Sequence, residues 1–190
     1  MKTLLRLSVL VVGLAMAPGG ARALSLALVP ATITASGSFN VDLVVSGLGG
    51  ATLGAFDIGI GFDPSFLGFT GASFGALLGA VPAEAIADAT PATGLVDLAE
   101  ISLLDSTALA GLQTSDSFTL ATLSFNVLPG TITSGTLSFG SITLGDGAGA
   151  RLPVSSATGA VVNAAPVPEP AGFLVFAVGF AIASRARREA

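Results

Sequence analysis

Three stretches in the middle of the chain alternate between apolar side chains and small or polar ones. The apolar positions are 39, 41, 43 and 45 in the first stretch, 56, 58, 60 and 62 in the second, and 121, 123, 125 and 127 in the third. Because successive side chains of a β-strand point to opposite faces, a spacing of two places all the apolar residues of a stretch on one face. The pattern therefore predicts three core strands, each with one buried face.

Six weaker segments complete the predicted set of strands. They are Leu24–Val29, Phe66–Ser73, Gly94–Leu104, Gly135–Phe139, Ser141–Leu144 and Ala157–Val162. The alternation slips near Ala99-Glu100 and at Gly140-Ser141, where a β-bulge or bend is predicted. Eight or nine short strands separated by glycine and proline turns predict an all-β fold, an antiparallel β-sandwich. In Pro82–Ala89, Pro and Glu precede good helix formers, so this segment is either a short helix or an irregular Ala-rich loop.

Missing residue types exclude several classes of function. The chain has no Cys, His, Trp or Tyr, so it offers no disulfide, no thiolate metal site and no imidazole base for a serine hydrolase. Between Leu24 and Pro170 there are eleven acidic residues and one base, Arg151. Such a body repels phosphate groups, and nucleic acid is therefore not an expected partner.

The first 23 residues have the features of a secretory signal peptide. Lys2 and Arg6 precede an apolar run at 7–17, and Ala21 and Ala23 provide a small-x-small cleavage site. Cleavage is predicted after Ala23. A retained membrane helix is the alternative, but these apolar residues would rise only about 16 Å against a hydrocarbon core of about 30 Å.

The C-terminal part combines a stiff linker with an apolar tail. Residues 164–170 cannot be helical, because their alternate prolines remove backbone donors and extend their neighbours. An uncharged segment follows, and Arg185, Arg187 and Arg188 close it. The pattern predicts a short transmembrane helix within 171–190, with the arginines on the cytoplasmic side and the body outside. A buried core helix is the alternative, but such a helix would have a polar face.

The motif Val167, Pro168, Glu169 and Pro170, with its apolar segment and Arg-rich end, resembles the PEP-CTERM sorting signal of Gram-negative bacteria. The resemblance implies an inner-membrane intermediate held by the tail, recognition by a membrane exosortase, and removal of the tail. It also implies delivery to the cell surface or an exopolysaccharide matrix. The same prolines also fit a plain rigid linker, and the two interpretations are compatible.

A strand, an Asp-Pro turn and a second strand span Gly54–Phe69, preceded by the strand at 39–45 and followed by segments at 120–128 and 135–147. This arrangement resembles the cohesin-type jelly roll, a β-sandwich related to carbohydrate-binding modules, and it covers residues 24–163. The resemblance implies protein docking or carbohydrate association rather than catalysis. It carries over no ligand-contacting residue, and fold alone does not establish function.

The carboxylates leave two kinds of site open as alternatives. A glycosidase needs two carboxylates, and the candidates are Asp42, Asp57, Asp63, Glu84, Asp97, Glu100, Asp105 and Asp116. Calcium is the one metal to consider, and its scattered candidates are Asp63, Asp105, Asp116 and Asp146. Solvated strand faces and turns explain most of these acids equally well, so no catalytic, metal or cofactor site is predicted. Sugar binding on a flat aromatic platform is disfavoured without Trp and Tyr, and recognition of a sugar by polar side chains stays open as an alternative.

The expected function is that of an exported, non-enzymatic protein of the cell surface or exopolysaccharide matrix, with a structural or adhesive role. A carbohydrate-binding or dockerin-binding module is the alternative, with an exopolysaccharide or a surface protein as partner. A polysaccharide-acting enzyme is the second alternative.

Overall fold

The computed structural model describes residues 23–165. The predicted cleavage-site residue Ala21, the sorting motif at 167–170 and the three terminal arginines lie outside the described residues, so the signal peptide and the sorting tail remain predictions. Within 23–165, no helix is long and apolar enough to cross a membrane.

Eleven strands, one short helix and a 3-10 turn make up this part of the chain. The strands are β1 Ser25–Val29, β2 Thr32–Ala35, β3 Ser38–Ser46, β4 Leu53–Gly61, β5 Leu67–Phe74, β6 Ala85–Ala92, β7 Leu95–Ser102, β8 Ser117–Val127, β9 Ser134–Asp146, β10 Ser156–Thr158 and β11 Ala160–Ala164. The 3-10 turn covers Ala76–Leu78 and the helix, α1, covers Ser106–Leu112.

The strands form two sheets packed face to face. One sheet has the order β10-β1-β3-β8-β5, and the other has the order β2-β11-β9-β4-β7-β6. The predicted all-β sandwich is confirmed, and the three strictly alternating stretches are β3, β4 and β8, at the centre of the sheets. Most of their inward side chains are buried, and those of Leu43, Ile58 and Leu123 are fully buried. Alternation thus marks the strands that have neighbours on both sides and a sheet beneath them.

An aromatic cluster fills one part of the core. The Phe125 ring is fully buried, and its centroid lies 5.8 Å from that of Phe39, 5.3 Å from that of Phe62 and 5.5 Å from that of Phe69. The two closest neighbours meet it edge to face, a geometry that aromatic quadrupoles favour. Phe62 directly follows β4 of the six-stranded sheet, and the other three rings belong to the five-stranded sheet, so the cluster joins the two sheets.

The first and last strands of the domain run side by side and cross from one sheet to the other. β1 pairs with β10 and β2 pairs with β11, both in parallel. The crossing between β10 and β11 occurs at Gly159, where a Cβ would overlap the backbone carbonyl oxygen of Leu137. A glycine is required there because only a residue without a side chain can approach the neighbouring backbone so closely.

Two predictions of local structure were wrong. Pro82–Ala89 is neither a helix nor an irregular loop, because Ala85–Ala92 forms β6, an edge strand paired with β7 along its whole length. The side chains with which it meets the core are alanines, so the sequence did not show large apolar residues at a spacing of two. The predicted irregularity at Ala99-Glu100 is also absent, since β7 pairs with β4 and β6 without a shift.

Other boundaries differ from the predicted ones. The predicted bulge at Gly140-Ser141 is confirmed, because β9 advances three residues there while β4 advances two, but β9 continues through it as one strand. The segment predicted at 157–162 is divided between β10 and β11, and β2 and α1 were not predicted. Asp105 begins α1 by accepting hydrogen bonds from the N–H groups of Thr107 and Ala108 at 2.9 and 2.8 Å.

Candidate functional site

The outer face of the six-stranded sheet combines exposed isoleucines with small side chains. The outer face consists of the outward residues of β4, β6, β7 and β9. They include Ala55, Asp57, Ile86, Asp88, Asp97, Ala99, Ile101 and Thr143. Ile86 and Ile101 lie directly opposite each other on β6 and β7, and they are 57% and 51% exposed. Leu103, just beyond β7, is 57% exposed. These neighbouring apolar side chains in water make this part of the sheet the candidate surface for interaction.

A depression of about 440 Å3 lies at one end of this face. Ala55, Ala99 and Gly145 are among the residues that line it, with Ile86 and Ile101 on one side. The small residues keep the surface low, so the backbone of a partner can come near the strands. The central strand β4 continues this low surface with Gly59 and Gly61, which have no side chain.

The charges on the outer face are mostly negative. Asp57 of β4, Asp97 of β7 and Asp88 of β6 project from it, and Asp88 accepts a hydrogen bond from Thr90. Partial burial, and then the charge of Asp57, raise the pKa of Asp97. Arg151, the one base among residues 23–165, is at the rim of the depression. A ligand of this face must therefore accommodate carboxylates around an apolar centre.

Glu100 is placed on the other side of the same strand. Its side chain points into the core with those of Val96 and Leu98, and it is 2% exposed. Neither carboxyl oxygen has a hydrogen-bond partner. Burial raises the pKa of Glu100 to about 7, because a low-dielectric interior disfavours the charged form. The slip in the sequence pattern thus reflects an acid turned inward and Ile101 turned outward, without any bulge.

The outer surface of the five-stranded sheet is chemically different. Its polar side chains bond to one another across the strands, in pairs that are opposite in register. The pairs are Ser25 with Ser46 at 2.8 Å, Ser38 with Asn126 at 2.6 Å, Asn40 with Ser124 at 2.9 Å, and Asp42 with Thr122 at 2.6 Å. These groups satisfy much of their own hydrogen-bonding capacity, and the surface has no exposed apolar centre comparable to Ile86 and Ile101.

The predicted carboxylate candidates are mostly dispersed. Of the glycosidase candidates, Asp57 and Asp97 come together on the outer face, Asp42 lies on the opposite sheet, and Glu100 is in the core. The other candidate acids accept hydrogen bonds in turns and at a helix cap. Asp63 accepts one from Ser65, Glu84 from the Ala80 N–H, and Asp105 from the start of α1. Asp116 accepts one from the Gly49 N–H, and Asp146 accepts from the N–H groups of Ala148 and Ala150.

These local roles also account for the calcium candidates. The hydrogen bonds from Ser65 lower the pKa of Asp63, which is the behaviour of a turn residue. Asp105, Asp116 and Asp146 each serve a different backbone segment. In the part of the chain that the structure describes, no group of three or more acidic, histidine or cysteine residues could hold a metal ion.

Comparison with protein-family models gives no match, and comparison with the curated proteins gives none. Solved structures do match. The sixth cohesin of scaffoldin B from Acetivibrio cellulolyticus, solved with a dockerin, is 19% identical, with a TM-score of 0.60 over 75% of this chain and 99% of that one. The seventh ScaB type I cohesin from Pseudobacteroides cellulosolvens is 12% identical, with a TM-score of 0.60 over 77% and 96%.

An archaeal domain gives a similar result. The non-cellulosomal cohesin from Archaeoglobus fulgidus is 15% identical, with a TM-score of 0.56 over 77% of this chain and 94% of that one. At such identities the likeness establishes the fold alone. Residues 23–165 therefore have a cohesin-like β-sandwich fold, and that part of the sequence prediction is confirmed.

Proposed function

We propose that this chain is a non-catalytic protein-docking module that binds a dockerin-type partner through the outer face of the six-stranded sheet. The observation that carries the proposal is the pair Ile86 and Ile101, which are opposite each other and more than half exposed. Two cohesins of the same fold were solved in complex with dockerins. The fold and the exposed apolar centre thus support docking more directly than a purely structural or adhesive role.

The chemistry of the face describes the partner it would take. Apolar anchors would cover Ile86 and Ile101, since desolvated apolar side chains near the centre of an interface contribute most to affinity. Around them, Asp57, Asp88 and Asp97 favour lysine or arginine on the partner, because complementary charges speed association and exclude wrong partners. The small residues Ala55 and Ala99 allow the close approach of a helix. An amphipathic, basic helical surface fits these requirements.

The sorting signal is a separate part of the proposal. We expect the tail at 171–190 to hold the chain in the inner membrane until an exosortase recognises Val167–Pro170 and removes it, leaving the domain at the surface of a Gram-negative cell. The direction of β11 supports an accessible docking site. It pairs with the beginning of β9 and ends at Ala164, about 30 Å along β9 from Thr143 at the depression. The linker therefore leaves the domain far from the site.

Mass spectrometry tests the sorting proposal. The intact mass of the protein would be measured in the membrane and extracellular fractions of its host. An extracellular species that begins at Leu24 and ends near Pro170 is expected. A membrane species that retains Ala190 throughout would mean a permanent anchor and would refute processing by an exosortase.

A binding titration tests the docking proposal. The full-length chain would be titrated with a panel of purified dockerins, together with its Ile101→Asp and Val29→Asp variants. Val29 is the matched control, because it is a 45% exposed apolar residue on a strand of the other sheet. Saturable binding by at least one dockerin is expected, weakened about 30-fold or more by Ile101→Asp and unchanged by Val29→Asp.

Two outcomes would contradict the docking proposal. If no dockerin of the panel binds saturably, the dockerin-type partner is refuted. If both variants lose the same affinity, the binding surface is not the outer face. Specific binding to a glycan array that Ile101→Asp leaves unchanged would instead favour the carbohydrate-binding alternative.

A further inference from the structure

One buried carboxyl lies directly behind the outer face. Glu100 stands between Ala99 and Ile101, whose side chains belong to that face, while its own side chain points into the sandwich. It is 2% exposed and both of its carboxyl oxygens lack a hydrogen-bond partner. A neutral carboxyl in this position lacks only hydrogen bonds, whereas a carboxylate would be an unpaired charge in the core, which costs far more.

No charge on the neighbouring elements offsets that cost. Glu100 is opposite Phe56 of β4 and Ala87 of β6. The charged residues of these strands and of β7 itself are on the outer face or at the turn before β6, and they are Asp57, Asp88, Asp97 and Glu84. The 3-10 turn and β5 contain no titratable residue. Burial is accordingly the cause that raises the pKa of Glu100 to about 7.

The structure offers this carboxyl one easy route to water, through β6. This strand is at the edge of its sheet and pairs with β7 alone. The side chains that it buries or half-buries on the inward side are only Ala85, Ala87 and Ala89, because Pro91 is exposed. Moving β6 aside therefore exposes little apolar surface compared with a strand of leucines. Segments with few buried apolar contacts are the first to open in a native protein.

We propose that Glu100 is a proton-controlled latch for β6. When it is protonated, β6 stays beside β7 and the outer face is complete. When it ionises, the open form becomes more populated, and in that form β6 separates from β7, Glu100 reaches water, and Ile86 leaves the face. The effect on a bound partner rests on the proposed docking function, but the release of β6 does not.

The pH window follows from the two states of the carboxyl. In the closed form its pKa is about 7, and in the open form it returns to the usual 4.5. Because the closed form binds the proton more tightly, the opening equilibrium rises about tenfold per pH unit between these values, about 300-fold in total, and is constant above them. The outer face is thus most complete in acid.

Hydrogen exchange on the unbound, full-length chain tests the latch. Amide protection at 85–92 would be measured from pH 4.5 to 8, after correction for the intrinsic exchange rate, with 38–46 of β3 as reference. The protection of β6 is expected to fall about tenfold per pH unit up to about pH 7 and then level off. At every pH it should stay well below that of β3, which exchanges when the whole domain unfolds, and equal protection of the two strands would overturn the latch. Glu100→Gln and Glu100→Leu should both remove the slope.

Asp97→Asn is the matched control, because Asp97 is on the same strand with its side chain on the outer face. It should retain the slope of the wild type. Flat protection of β6 in the wild type, or an unchanged slope in both Glu100 variants, would overturn the latch. Since no partner is present, that result would leave the docking proposal standing, whereas a failure of every dockerin to bind would refute docking and leave the latch.

Discussion

The Gln113→Ala substitution should lower the free energy of unfolding by about 3 kcal/mol. The Gln113 carboxamide joins three segments at one end of the sandwich: its Oε1 accepts a hydrogen bond from the Leu53 N–H at 2.7 Å, and its Nε2 donates to the carbonyl oxygens of Leu53 and Leu77 at 2.7 and 3.0 Å. Each bond contributes about 1 kcal/mol net. Leu53 is fully buried, so water cannot easily replace the lost partner.

Urea denaturation measures this effect. Far-UV circular dichroism is the suitable signal, because the chain has no Trp or Tyr. With a slope of about 2 kcal/mol per M urea, the midpoint of Gln113→Ala should fall by about 1.5 M. Gln113→Glu should lose more at neutral pH, since its carboxylate would oppose two carbonyl oxygens.

Thr114→Ala is the control for this series. Thr114 is exposed, so its replacement should change the free energy of unfolding by less than about 0.5 kcal/mol. If the midpoint of Gln113→Ala fell within the shift of this control, the three hydrogen bonds would not stabilise the end of the sandwich as argued.

Three further changes probe other parts of the fold. Phe125→Ala should lower the free energy of unfolding by about 3–5 kcal/mol, because it leaves a cavity among three rings. Urea denaturation measures this loss, and a value below about 1 kcal/mol would show that the aromatic cluster is not central to stability. Gly159→Ala should lower the free energy of unfolding by about 1–3 kcal/mol, because its Cβ would overlap the Leu137 carbonyl. Gly130→Ala is the control and should not lower it, since a Cβ there would meet no atom within 4 Å. Calorimetry measures the melting temperature of both variants, and equal shifts would contradict the close approach at Gly159. The free energy of unfolding of the wild type should fall by up to about 3 kcal/mol from pH 4.5 to 7, because the folded state holds the Glu100 proton more tightly than the unfolded chain. Glu100→Leu should flatten the plot of unfolding free energy against pH. If the plot for Glu100→Leu were as steep as that of the wild type, the pH dependence would belong to other groups.

The centre of the sandwich was predictable because it repeats one physical rule. β3, β4 and β8 have neighbours on both sides and a sheet beneath them, so every second side chain must be large and apolar to fill the core. Strands at the margins are under weaker constraint. β6 meets the core with alanines alone, while its one large apolar residue, Ile86, faces outward, so its sequence had no large apolar residues at a spacing of two and was equally compatible with a helix.

The roles of the acidic residues depended on tertiary structure. Asp63 and Asp146 shape turns through bonds to nearby N–H groups, and Asp105 caps a helix of only seven residues, too short for a periodic signal. The same residue type in a loop can equally ligate calcium or catalyse hydrolysis. Only the position of the backbone groups around each carboxylate separates these roles.

The most informative departure from the pattern was at 99–101. A strand with one buried face should not turn an acid inward and an isoleucine outward. A β-bulge would have allowed the acid to face outward and the isoleucine to face inward. The regular pairing of β7 with both neighbours removes that explanation. What remains is a strand that keeps Ile101 in water and Glu100 in the core, against the stability of the isolated domain. Sequences tend to break a local rule where function requires it. An outward isoleucine gains free energy when a partner covers it, and an inward carboxyl makes its strand sensitive to pH, so one short segment accounts for both the proposed docking and its proposed control.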